Sequence, residues 1–204
     1  MHDEPIALAM TGASGAQYGL GLLQHLLRAG RRVYLMLSKP AQVVIGMETD
    51  LKLPARVPDM HAFLTGHFAA QPSQLQVFSP EQWTAPVASG SARFAAMVIC
   101  PCSMATLSAV ATGASRSLIE RAADVAIKEQ RKLVMVPRET PFSAIHLENM
   151  LKLARLGVVV LPANPGFYHR PESVQSLVDF VVARVLDHLG VAHELVPAWG
   201  ETGD

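Results

Sequence analysis

The sequence predicts a doubly wound α/β domain, a parallel sheet covered by helices on both faces. Three observations carry this expectation. Short apolar runs rich in β-branched residues occur at 5–11 (PIALAMT), 32–37 (RVYLML), 95–100 (AAMVIC), 132–136 (KLVMV) and 158–161 (VVVL), with a weaker one at 75–78 (LQVF). Stretches of helical period lie between most of them, at 16–29, 40–48, 103–112, 117–130, 143–156 and 172–189. Gly30 and Gly157 follow two of these helices where a C′ glycine belongs. Strands alternating with helices pair in parallel, and ligands of such sheets bind beyond the strand C-termini. A length of 204 residues is expected to form a single domain spanning 1–204.

The first strand runs into Thr11-Gly12-Ala13-Ser14-Gly15 and then a leucine-rich helix, whose N-terminus suits a phosphate. A dinucleotide fingerprint would need glycine where Met10 stands, and the second strand ends in Ser38 instead of a ribose-gripping acid. The short-chain dehydrogenase pattern fails at Ala16 and Tyr18. Its Tyr–Lys pair is missing too, because Leu22, Ser38 and Glu172 follow Tyr18, Tyr34 and Tyr168 at the required distance. No Walker A sequence occurs. What remains is a small-residue turn offering hydroxyls and backbone N–H groups, which is equally compatible with an ordinary βα turn.

The other strand mouths add chemistry. The long segment 80–93 (PEQWTAPVASGSAR) belongs to a length class that is usually functional or disordered. In PCSMATL, Pro101 and Cys102 are expected to end the strand, Ser103 to cap a helix, and Thr106 to face the same crevice one turn in. PRETPFS puts Arg138 and Glu139 at a strand mouth, with Pro141 in the first helical turn. Arginine offers a fork matched to phosphate. On 117–130, Arg121, Asp124 and Lys128 share one face. Asp124 and Lys128 make either a surface pair of about 0.3–0.5 kcal/mol, or a flank to two cations that reach one anion. Tyr168 lies in the loop PGFYHRPE, Arg184 on the final helix, and Trp199 in a tail that would have to fold back to matter.

Composition excludes several classes. Net charge is zero with no basic block, which argues against nucleic acid. Half the residues are hydrophobic and only 17% are charged, against a typical share of about 25%. So little surface charge predicts a homo-oligomer, with a compact monomer as the alternative. Asp3 and Glu4 stand where a signal peptide carries positive charge, no apolar run reaches membrane-span length, and Cys100 and Cys102 make no disulfide framework. The expected compartment is the cytoplasm. Eight histidines show no metal spacing. Several phosphate-competent loops, multiple arginines and no metal motif suggest two monophosphate ligands handled by side chains.

Taken together, TGASGAQYG, SK at 38–39, METD at 47–50, SGS at 89–91, PCSMATL, LIERAADVAIKE, PRETPFSAIHLENM and PGFYHRP resemble the UbiX-type flavin prenyltransferases, from about residue 5 to Trp199. The resemblance implies a flavodoxin-like (Rossmann-like) fold and a dodecamer with sites at subunit interfaces. It also implies metal-free transfer of a dimethylallyl group from dimethylallyl monophosphate to N5 and C6 of reduced FMN. The prenylated FMN then serves UbiD-type decarboxylases, including the one in ubiquinone biosynthesis. By the same resemblance Gly12, Ala13, Ser14, Ser38, Ser103, Met104, Ala105, Thr106 and Arg138 contact FMN. The prenyl phosphate falls to Tyr168 and Arg184 with Arg121, Lys128, Arg138 and Glu139, while Ser89 and Gly90 lie near the prenyl chain. Ser14 and Glu48 match residues near flavin N5, and Glu48 and Glu139, or the retained phosphate, are candidates for proton transfer. Lys128 helps stabilise the leaving phosphate. Trp199, in a tail of about 190–204, closes the site.

Two alternatives come from other classes. FMN-dependent peptidyl-cysteine decarboxylases share the fold but carry P-x-M-N-x-x-M-W where this chain reads PANPGFYH. A non-catalytic FMN-binding protein would have no use for Arg121, Lys128, Arg138, Glu139 and Arg184 together.

Overall fold

The computed structural model describes residues 4–196. Its sheet comprises β1 (Ile6–Met10), β2 (Val33–Leu37), β3 (Leu75–Phe78), β4 (Ala96–Cys102), β5 (Lys132–Pro137) and β6 (Val159–Val160), in the order β3-β2-β1-β4-β5-β6. Every neighbouring pair is parallel. This is the order of the six-stranded doubly wound sheet; without the outer β3 it reduces to that of flavodoxin. Strand order reverses between β1 and β4, so the ligand crevice opens above their C-terminal ends.

Burial on both faces explains why the strands read as continuous apolar runs. Ile6, Leu8 and Met10 of β1 enter one core cluster with Val98, Val134 and Val136. Ala7 and Ala9 enter the other with Met97, Ile99, Leu133 and Met135. The helices are α1 (Ala16–Arg28), α2 (Lys39–Glu48), α3 (Val57–His67), α4 (Met104–Ala111), α5 (Leu118–Lys128), α6 (Ala144–Arg155) and α7 (Val174–Leu189). The first cluster takes side chains from α1, α2, α3 and α7, the second from α4, α5, α6 and the 86–88 turn.

The structure departs from the sequence expectations at four places. β4 runs through Pro101 to Cys102, and its register with β5 shifts between Ile99 and Cys102. The irregularity accommodates a proline, which has no N–H for the ladder. Pro141 precedes α6 instead of opening it. Ser143 is the N-cap and shares a capping box with His146, each side chain accepting from the other's N–H at 3.2 Å. α3 was not expected. The segment 80–93 is not loose, because a 3-10 turn at Pro86–Ala88 buries Val87 fully. Its carbonyls accept from α5 and the residues after it: Pro80 from Leu118 N (2.7 Å), Ala88 from Arg121 Nε (3.0 Å) and Gly90 from Arg131 Nη2 (2.7 Å).

Candidate functional site

Three strand-end loops, those after β1, β4 and β5, are tied together above the sheet. Thr11, only 2% exposed, donates its hydroxyl to the Pro101 carbonyl (3.0 Å) and accepts from Ser103 N (2.7 Å), locking the β1 mouth to the β4 mouth. Arg138, after β5, crosses to the β1 loop, its Nε donating to the Ser14 carbonyl at 3.2 Å. Two helix N-termini face this region, each with a serine cap. Ser38 Oγ accepts from Ala41 N (3.1 Å) at α2. At α4, Ser103 Oγ accepts from Thr106 N (3.3 Å) and donates to Thr106 Oγ1 (3.1 Å). Met104 is buried, Ala105 is exposed, and Ser103 and Thr106 are half-buried.

The N-terminus of α1 is different, and here the reading of the glycine turn needs correction. Two of its N–H groups, those of Gly15 and Ala16, are already taken by a side chain of the protein itself. Glu48, arriving from the end of α2, accepts from Gly15 N (2.8 Å) and Ala16 N (2.9 Å) through one oxygen. Burial pulls the Glu48 carboxyl upward. Hydrogen bonds from Ser14, Ala16 and Gly15 and the charge of Arg138 outweigh that and hold it below its ordinary range. The dipole of α1 adds to the same preference for an anion. Ser14 and Glu48 are therefore in contact, as a hydroxyl oriented by a carboxylate.

Tyr18 completes this corner, packed against Gly15 and near Arg138, although its sequence context points only to a dehydrogenase tyrosine that lacks its lysine. Burial, with Cys100 adding, raises its phenol above the ordinary value against the pull of Arg138. Glu139 lies beside Arg138, its carboxylate accepting from Thr140 N at 3.1 Å.

The remaining expected residues lie elsewhere on the chain. Lys128 ends α5, just before Lys132 opens β5, whereas Arg138 follows the residue that closes β5. At about 3.3 Å per residue the strand separates the two by roughly 20 Å. Arg121 lies two turns up the same helix and is engaged by the Ala88 carbonyl and by Asp124 at 2.8 Å. Asp124 thus pairs with Arg121 and not with Lys128, which pairs with Glu129. Gly90 packs onto that Lys128–Glu129 pair: an added Cβ would run into Glu129 Oε1 and lie 2.9 Å from Lys128 Nζ. Ser89 bonds Ser91, hydroxyl to hydroxyl, at 2.8 Å. Tyr168, 56% exposed, sits in the loop before α7. Arg184 is ten residues into α7, about 15 Å along its axis from the end nearer the strand mouths, and pairs with Asp187 at 2.6 Å. Trp199 lies outside the described residues. One chain therefore presents a crevice of FMN-contact candidates, with Lys128 and Arg184 of the expected prenyl-phosphate set placed away from it. Among the described residues, no group of three or more His, Cys, Asp or Glu is placed to hold a metal, and no helix is long and apolar enough to cross a membrane.

Comparison with known proteins agrees with this architecture. The family model described as Flavoprotein matches residues 1–186. The flavin prenyltransferase UbiX of Pseudomonas aeruginosa is 62% identical over 198 residues, covering 97% of this chain and 95% of the relative. The crystal structure of AnUbiX in complex with FMN and dimethylallyl pyrophosphate superposes with a TM-score of 0.86 at 39% identity, covering 97% and 98% of the two chains. A dodecameric FMN-dependent UbiX-like decarboxylase from Escherichia coli gives 0.83 at 43% identity, covering 96% and 98%. The cypemycin decarboxylase CypD, 16% identical with a TM-score of 0.59, shares the fold alone. The chain belongs to the flavoprotein family and, within it, to the UbiX flavin prenyltransferases.

Proposed function

We propose that this protein transfers a dimethylallyl group from dimethylallyl monophosphate to N5 and C6 of reduced FMN, and that the product passes in the cytoplasm to a UbiD-type decarboxylase. The observation that carries the reading is the tied crevice, in which two capped helix N-termini and Arg138 offer N–H groups, hydroxyls and a guanidinium. That chemistry fits the phosphate of a mononucleotide. With the α1 N-terminus filled by Glu48, the FMN phosphate goes to Ser38, Ser103–Thr106 and Arg138, while Gly12, Ala13 and Ser14 border the ring. Reduced FMN supplies the nucleophilic ring atoms when bound.

The chain's own groups do the rest. Ionised Glu48 fixes the Ser14 hydroxyl, which is thereby poised to hold a proton at the ring edge. Arg121, Lys128, Arg138, Tyr168 and Arg184 stabilise charge on the departing phosphate, and Glu139 orients Arg138 or takes up a proton. Because Lys128 and Arg184 lie far along their elements from the crevice, a complete site draws on more than one copy of the chain. The dodecameric relative supports such an assembly, and the AnUbiX complex supports the pair of ligands. Anaerobic incubation with reduced FMN and dimethylallyl monophosphate, followed by mass spectrometry, is expected to give a flavin heavier by one dimethylallyl unit. Flavin of unchanged mass would overturn the proposal.

A further inference from the structure

Tyr168 lies against two other rings. His169 stacks flat on Phe180, 5.3 Å between centroids and 7° between planes. Tyr168 stands nearly perpendicular to both, 5.7 Å from each at 78° and 77°. This is a right-angled corner of three rings, an arrangement that aromatic quadrupoles favour. The backbone closes it from a third side. An added Cβ at Gly166 would lie 2.9 Å from Tyr168 Cε1 and 3.1 Å from Phe180 Cζ, so the turn can follow the rings this closely only with glycine there. Phe180 stands on α7 and anchors the corner to a helix that packs on α1.

His169 is unusual within the corner. Both of its ring nitrogens are buried and neither has a hydrogen-bond partner among the described residues. An imidazole used for its polar atoms would not leave both unpaired in a shielded place. The contacts that the ring does make among the described residues are those with Phe180 and Tyr168.

We propose that His169 is a positioning residue for the transfer reaction: stacked on Phe180, it fixes the ring of Tyr168 at the angle at which that side chain meets the prenyl phosphate. The inference rests on the assignment of Tyr168 to the prenyl phosphate. Held rings lose less freedom on binding, and small misplacements of a substrate-orienting group are costly to reaction.

Steady-state prenylation of reduced FMN by the full-length protein tests this. His169→Ala is expected to raise KM for dimethylallyl monophosphate about tenfold, with kcat changed less and FMN affinity, read by flavin fluorescence, unchanged. His169→Phe, which keeps the stack and discards the nitrogens, should restore KM to within about twofold of the parent protein. The double variant His169→Ala/Tyr168→Ala should be no worse than Tyr168→Ala alone, because residues acting as a unit are not additive. A Tyr168→Ala protein with unchanged KM would remove the underlying assignment. If Tyr168→Ala raises KM and His169→Ala does not, the positioning role alone falls. Loss of activity in His169→Phe equal to that in His169→Ala would show that the nitrogens, not the faces, matter, and would overturn the proposal.

Discussion

Glu48 does at α1 what a bound anion does at many helix N-termini, and its effect on stability follows from the sign of its shift. Its carboxyl is held below the ordinary value in the folded chain, by hydrogen bonds and the Arg138 charge acting against burial. The contact therefore stabilises fully above the unfolded carboxyl's pKa and is lost as pH falls through the lower, folded one. Replacing a capping oxygen acceptor typically costs about 0.5–2 kcal/mol. Glu48→Gln should thus be less stable than the parent near neutrality, with the gap closing in acid, because the amide has no charge to lose. Urea titrations of both proteins across that range measure it, and a gap independent of pH would mean that the contact is not ionic. The same substitution should spare FMN binding and slow adduct formation by about 10²–10⁴-fold, the usual worth of a general acid–base partner. Turnover at the parental rate would reduce Glu48 to a helix cap.

Among the elements, the segment from β3 to β4 matters most, because it is held to α5 by side chains expected in the site. Arg121 supplies a bond to the Ala88 carbonyl as well as its pair with Asp124. Arg121→Ala should therefore do two things: lower stability by about 1 kcal/mol for a lost hydrogen bond, and speed amide exchange in 86–91. Protection there equal to the parent would leave Arg121 no anchoring role. Gly90→Ala meets only the ends of two flexible side chains. It should fold, yet push Lys128 and Glu129 aside and raise the KM for the prenyl phosphate while FMN affinity holds. The strands were legible because burial on two faces leaves an unmistakable apolar run. α3 was not, since it buries only Met60 and Leu64 behind an Arg56-Val57-Pro58 start. The Ser103 cap was legible because the signal is local. The Glu48–Gly15 contact and the Thr11–Ser103 bond join residues 33 and 92 apart in sequence, and no local pattern announces them. Nor does any pattern tell that Lys128 and Arg138, both cationic and both near β5, sit at opposite ends of it.

For the whole molecule, that separation gives a test. If copies of the chain contribute different parts of one site, Lys128→Ala and Arg138→Ala chains, each inactive, should regain part of the activity when co-assembled. No recovery would place all groups of one site on one chain. Arg184→Ala should weaken use of the prenyl phosphate by about ten- to hundredfold, the worth of a charge-assisted contact, with FMN affinity retained. Loss of FMN affinity with prenyl-phosphate binding intact would mean that the two phosphate assignments are exchanged. A last consequence comes from the central strand β4. Cys100 and Cys102 are 1% and 0% exposed, and burial raises both thiols above their ordinary range. Alkylation and oxidation need an accessible thiolate, so neither sulfur should react while β4 stays paired. A protein that handles reduced flavin, which yields peroxide in air, keeps its only two thiols out of reach. Their labelling by iodoacetamide would then report how often the centre of the sheet opens, a built-in gauge of unfolding that needs no added probe.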